Sequence, residues 1–440
     1  MRRGFVTFAV LGSFAVALAA QPPAPPAAPP AVLPPAPPGG AVPLPPMPAI
    51  AAPKPDVPLA KFEPLTAFPV HTQFAVAGAV RGSTWLSKNQ QPNGRFNHGY
   101  NPTLRQPLAG EHDLKQARAA LALAESAKFA GDDKVAATAN QAVLALLAST
   151  KPAADDANCR VPVNASIVCN RVGFAATLAL AIYELPAPGA KLLEDAEKLC
   201  GFLRRTLRTD GSIHYTDGAN DVPSQVDPAG ANEYPGLALQ ALAASNRVAP
   251  AEWKKDAVKR GVTHYHLRFR ANPHSLLAAT VLPAAADLYA QTKLNEMSSA
   301  GFEMADWLLG QQIGPTDANL PQGAGAFRSH EGGKATDAMP TASDSGLCVR
   351  GLACAFRLSQ LAADTTREGK YKASLLASVE FLSSLQFVET NTRHFENTFR
   401  ANVLIGGFHH TPNDGTLYTD ATASAVSGLL KFLGSGAEKR

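Results

Sequence analysis

The chain has 440 residues, a mass of 46.0 kDa and a formal charge of +4. That length is enough for a full-sized core, and a charge so close to neutral gives no basic footprint for nucleic acid. Only 17% of residues are charged and the 36 prolines are unevenly spread, so the chain divides into a leader, a linker and an apolar-rich domain.

Residues 1–20 have the pattern of a secretory signal. Met1-Arg2-Arg3 is the positive end, Phe5 to Leu18 the apolar run, and Ala17-Leu18-Ala19 a small-x-small cleavage site. The run is shorter than the roughly 20 residues a membrane span requires, although an uncleaved anchor is the alternative to cleavage. No later window is apolar enough to span. The mature chain is therefore expected without a membrane span, exported to the periplasm, the cell surface or the medium. Residues 21–60 hold 17 prolines and almost no charge, which predicts a disordered, extended linker. At about 3.1 Å per residue such a segment reaches on the order of 120 Å. Residues 61–77 are expected to form a lead-in arm, 78–434 the folded domain and 435–440 a tail.

From residue 78 the signal is helical. Ala- and Leu-rich stretches with three-to-four spacing predict helices over 78–90, 111–128, 133–149, 171–184, 188–208, 233–245, 250–262, 274–291, 294–311, 344–362, 366–387 and 420–434. Their connections alternate. Links from even to odd helices are tight, such as Ala130-Gly131-Asp132 and Leu185-Pro186-Ala187. Links from odd to even helices are long: 91–110, 150–170, 209–232, 263–273, 312–343 and 388–419. In an antiparallel array all the long links fall at one end. Gly110, Asn170, Asn232, Asn272, Ser343 and Thr419 are expected to open the even helices, whose positive dipole ends then face that elaborated rim.

A weak repeat supports the register. An aromatic-Leu pair precedes a Gly-x-apolar unit four times: Gly94-Arg95-Phe96, Gly211-Ser212-Ile213, Gly325-Ala326-Phe327 and Gly406-Gly407-Phe408. The bland expectation is a turn at each Gly and a plug at each Phe or Ile. Twelve helices in six hairpins resemble the (α/α)6 toroids typified by the six-hairpin glycosidases, over roughly residues 78–434. The resemblance is one of architecture. It implies an all-α double ring with the even helices inside and a substrate cleft at their N-terminal rim. It does not choose among hydrolases, lyases, epimerases and cyclases built on such rings.

The rim is rich in titratable side chains. Ten of the eleven histidines, all but His71, lie on or beside long links or in an inner helix's first turn. Glu233, Asp113, Asp420, Glu111 and Asp344 fall in first turns of even helices, where facing carboxylates suit glycosidic bond cleavage. Glu233 ranks first because Asn232-Glu233-Tyr234-Pro235 joins cap, acid and aromatic at the mouth. An acid at that position also complements the helix dipole with no catalytic task. His98, Tyr100, Arg105, His214, Tyr215, Tyr234, His274 and His409 are the expected substrate-binding side chains. Asn97-His98-Gly99-Tyr100, with Arg95 and Arg105 nearby, is similar in residue types to the sites of helical-toroid polysaccharide lyases.

No Gly-rich phosphate loop and no Gly-x-Ser-x-Gly elbow is present. His264-Tyr265-His266 and His409-His410 have no Cys or acid at a recognised ligand spacing. Neither a metal nor another cofactor is expected. Of five cysteines, Cys159 and Cys169 bracket one long link and are the expected disulfide. The leading expectation is an exported protein that hydrolyses a carbohydrate polymer or oligosaccharide through rim carboxylates, with lyase or epimerase chemistry close behind. The alternative is a non-catalytic toroid that binds glycan or envelope components on its Pro-rich tether.

Overall fold

The computed structural model describes residues 58–438; the signal pattern and residues 21–57 of the linker lie outside them. Twelve long helices follow one another: α1 Val70–Lys88, α2 Asp113–Ala130, α3 Asp133–Leu147, α4 Arg171–Glu184, α5 Ala190–Thr206 and α6 Tyr234–Val248. The second half comprises α7 Glu252–Ala271, α8 Ser275–Thr292, α9 Asn295–Leu309, α10 Ala342–Leu361, α11 Thr365–Ser384 and α12 Thr419–Ser435.

Burial separates two kinds. Helix α4 buries every residue from Val172 to Ile182, on all its faces. Helix α5 buries only Asp195, Ala196, Leu199, Cys200 and Leu203, one stripe at three-to-four spacing. A helix apolar all round belongs inside, and one with a single apolar stripe belongs outside. The even helices pack side by side in the order α2, α4, α6, α8, α10 and α12, and α12 closes on α2. The odd helices lie outside this ring, each against the inner helices beside it.

The Gly-x-apolar repeat is a structural device. Phe96, Ile213, Phe327 and Phe408 are buried, each bridged to a residue just past the preceding outer helix: Gln90, Leu207, Gln312 and Gln386. Gly94, Gly211, Gly325 and Gly406 all take positive φ, between 83° and 100°. A Cβ on them would stand 2.2 to 2.8 Å from the carbonyls of Gln141, Arg260, Ala377 and Arg81. Those carbonyls belong to α3, α7, α11 and α1. Each such link is thus seated on the next outer helix, and the last link returns to the first.

Some boundaries differ from expectation. Helix α1 begins at Val70, eight residues early, because Thr72, Ala75, Val76 and Ala79 continue its buried stripe. Helix α7 runs to Ala271 because Tyr265 and Phe269 are buried on its inner face. The fourth odd-to-even link shrinks to Asn272–His274, and His264 and His266 are helical. Of the expected caps only Asn170 acts as one, accepting from the Gly173 amide at 2.9 Å. The other inner helices open from His112, Glu233, His274, Thr341 and Tyr418.

Four of the other long links carry short strands: β1 Gly99–Asn101 and β2 Gln106–Pro107, β3 Thr150–Pro152 and β4 Arg160–Pro162, β5 His330–Glu331 and β6 Lys334–Ala335, β7 His409–Thr411 and β8 Asp414–Tyr418. A sheet in the order β2-β1-β8-β7 joins the first long link to the last and closes the rim. The expected bridge is not formed: Cys159 and Cys169 are both free and buried. Cys159 ends the β3–β4 hairpin beside Arg205 of α5, whereas the Cys169 thiol meets the Asn164 carbonyl at 3.5 Å. Among the described residues no helix is long and apolar enough to cross a membrane.

Candidate active site at the inner-helix rim

The centre of the rim is organised by two cations on the first turns of α2. The Arg118 guanidinium contacts the Glu233 carboxylate at the start of α6, and its other nitrogen lies 3.7 Å from Asp420 of α12. Lys115 Nζ lies 3.4 Å from the same Asp420 oxygen and 5.5 Å from the centre of the Tyr418 ring. Two carboxylates on different helices are thereby held no farther apart than one guanidinium spans. Asp344, in the first turn of α10, is close enough to feel Arg118, His410 and Asp420. Burial pushes its carboxyl above the ordinary value, and the negative Asp420 adds to the rise, against the Thr341 hydroxyl, Arg118 and His410.

Imidazoles and a phenol surround this cluster. The Thr419 amide donates to the His98 carbonyl at 3.1 Å, which seats the first long link on the start of α12. His98 and His410 stand edge to face with Tyr418, at 5.9 and 5.0 Å between ring centres. Burial first and Lys115 second lower the pKa of both His98 and His112. Both are therefore neutral bases near pH 7. Asp420 Oδ1, Arg118 Nε, His112 Nδ1, Asn232 Oδ1 and Ser345 Oγ are buried without a hydrogen-bond partner. All five belong to the opening turns of inner helices. Buried polar atoms left unpaired are costly, and these five gather at the N-terminal ends of the inner helices.

The expected site residues divide accordingly. Glu233, Asp420 and Asp344 come together, with His98 beside them. Asp113 does not share in this: its carboxylate accepts from Arg95 at 2.8 Å and Asn164 at 2.7 Å, tying the first two long links together. Glu111 precedes the helix and is an exposed partner of Arg95. Arg105 is exposed, 3.5 Å from Glu396, and stacks over Phe399, against which Tyr100 also packs. His214 is fixed between Arg208 and the Gly218 carbonyl, and Tyr215 is buried with its hydroxyl on the Asp227 carbonyl. Tyr234 packs edge to face on Tyr215. His274 accepts from the Leu276 amide as a helix cap, with its pKa lowered to about 4 by burial and by His330. His409 lies 4.0 Å from the Phe387 ring, half-buried, with Nε2 unpartnered.

Lys115 and Arg118 escaped the sequence reading, as did the central place of His112, His410 and Tyr418. The available signal was two cations three residues apart in the stretch Leu114 to Ala124, otherwise built from Ala, Leu and Gln. Among the described residues no group of three His, Cys, Asp or Glu side chains is set to hold a metal.

Comparison with solved structures gives the same architecture many times. An unsaturated glucuronyl hydrolase specific for heparin aligns with a TM-score of 0.56 at 14% identity, over 82% of this chain and 96% of that one. An α-1,6-mannanase of Salegentibacter aligns at 0.55 and 11%, over 83% and 99%. A cellobiose 2-epimerase from Bacillus thermoamylovorans aligns at 0.57 and 11%, over 86% and 98%. The chain is a six-hairpin (α/α)6 toroid. No family model and no curated protein matches it. At such low identity the likeness is one of fold.

Proposed function

We propose that this toroid hydrolyses a glycosidic bond at the inner-helix rim, with an oligosaccharide or polysaccharide as substrate and export as its setting. The observation that carries the reading is the Arg118 bridge between Glu233 and Asp420, with Asp344 beside it. Asp344, biased by burial toward its protonated form, is the proton donor to the departing glycosidic oxygen. Asp420 has an oxygen free of hydrogen bonds and is the base that takes a proton from the attacking water. Arg118 is the positioning residue that fixes Glu233 and Asp420, and Tyr418 with His410 gives ring faces to a sugar. The solved toroids it aligns with include carbohydrate-active enzymes, which supports this class of substrate.

One observation favours a second reading. Glu233, the acid at the mouth, is already neutralised by Arg118, as suits a toroid that binds glycan without turnover. A polysaccharide panel incubated with the full chain separates the readings, with reducing ends and unsaturated-uronate absorbance followed together. Reducing ends without absorbance are expected. Both signals together replace hydrolysis by elimination through His98 or His112. Binding with neither signal leaves the glycan-binding reading.

A further inference from the structure

The tight-link end of the ring, opposite the rim, encloses a cavity of about 390 Å³. All six inner helices line it with their C-terminal portions, and Pro58 closes one side. Its inner wall is apolar, with Phe129, Leu180, Pro283, Ala286, Ala353 and Leu430. Its volume lies within the range of small-molecule sites, roughly 300–1,000 Å³.

The charges around it do not balance. Lys128, Arg247, Arg357 and Lys431 line the cavity against Glu125, Glu184 and Asp287. Lys431 lies 3.2 Å from Glu125 and 3.4 Å from Glu184, Lys128 3.1 Å from Glu184, and Arg247 3.4 Å from Asp287. Arg357 forms no salt bridge among the described residues and is exposed. Burial pushes Asp287 toward its neutral form, although Arg247 opposes this. Beside Glu125 a fifth cation, Arg350, is buried, paired with that carboxylate at 2.6 Å, and its Nη2 has no partner.

Cations in the last turns of helices complement the dipoles there, which accounts for their sign. It does not account for an apolar wall behind them. A self-contained ion network would end neutral. This one keeps a surplus of positive charge around an apolar hollow.

We propose that the axial cavity at the tight-link end is a second binding site, separate from the rim, for a small organic anion whose apolar body enters between the inner helices while its acid group meets Arg357 and Arg247. The assignment is independent of the reaction at the rim. The shared chemistry is a carboxylate, sulfonate or similar group on a compact apolar frame, which planar guanidinium groups hold in two-pronged contact.

The probe is 4-fluorobenzoate, titrated into the full chain and followed by fluorine NMR, with 4-fluorobenzyl alcohol as its uncharged counterpart. Saturable binding of one benzoate per chain is expected, with much weaker binding of the alcohol. Arg357→Ala and Arg247→Ala, both at exposed guanidinium groups, should each weaken it about tenfold. Asp344→Asn, at the other end of the ring, should leave it unchanged. Absence of saturable binding, equal affinity for the alcohol, or indifference to both arginine substitutions overturns the proposal. Loss of binding in Asp344→Asn does so too, by moving the anion to the rim.

Discussion

A desolvated carboxyl near another carboxylate makes opposite demands on stability and on chemistry, and Asp344 shows both. Its folded pKa lies above the unfolded value, so the folded state prefers the protonated form. The stabilisation this gives is complete below the unfolded pKa and is lost as pH rises through the folded one. Asp344→Asn should therefore raise the thermal midpoint relative to wild type more at pH 7 than at pH 4, while lowering turnover by about 10²–10⁴-fold. Thermal unfolding at the two pH values, beside rates on an active glycan, checks both halves. Arg118→Lys should keep the charge but lose the two-pronged hold on Glu233 and Asp420, reducing turnover about tenfold or more. A variant rate equal to wild type would remove Arg118 from the site. The acids were legible in the sequence because helix starts concentrate them. Their sorting was not, since Asp113 and Asp420 occupy equivalent positions and only the partners differ: Arg95 and Asn164 saturate one, while the other keeps a free oxygen.

At the scale of elements, the links carry the specificity of assembly. Gly211 holds φ +87 with the Arg260 carbonyl 2.3 Å from where a Cβ would stand. Gly211→Ala should cost about 1–3 kcal/mol, read as a lower urea midpoint with an unchanged slope. A midpoint equal to wild type would show that the link is not seated on α7. The alternation of tight and long links was readable because turns are written in Gly, Pro and Asn. The fourth long link was misread for a physical reason: the stretch His264 to Arg270 is polar and aromatic, yet Tyr265 and Phe269 lie four apart on one buried face of α7. Caps were equally hard to place, because Thr341 and His274 each act two residues away from the Ser and Asn that composition favours.

The whole ring is closed by contacts between its two chain ends. The first and last long links share the sheet β2-β1-β8-β7, and α12 packs on α2. Deeper in, Arg350 of α10 pairs with Glu125 of α2 and contacts Ser427 of α12, tying three inner helices across the closure. Breaking one half of such a buried pair leaves Glu125 with Lys431, at 3.2 Å, as its one remaining cation among the described residues. Arg350→Met should cost about 3–5 kcal/mol, and adding Glu125→Gln should recover part of it. Chemical denaturation of the single and double variants tests this, and additive losses would show that the two side chains act separately. Such long-range pairs leave no mark in a linear sequence, whereas the helix count was readable from period and link length, and the toroid from the resemblance of six hairpins to known double rings.

The most direct test of a rim active site is the crystal structure of the Asp344→Asn chain soaked with an oligosaccharide drawn from the panel. The account predicts a sugar ring against Tyr418 and His410, its glycosidic oxygen within hydrogen-bond reach of residue 344 and a water beside Asp420. A sugar bound elsewhere, with Arg118, Asp344 and Asp420 untouched, would contradict it.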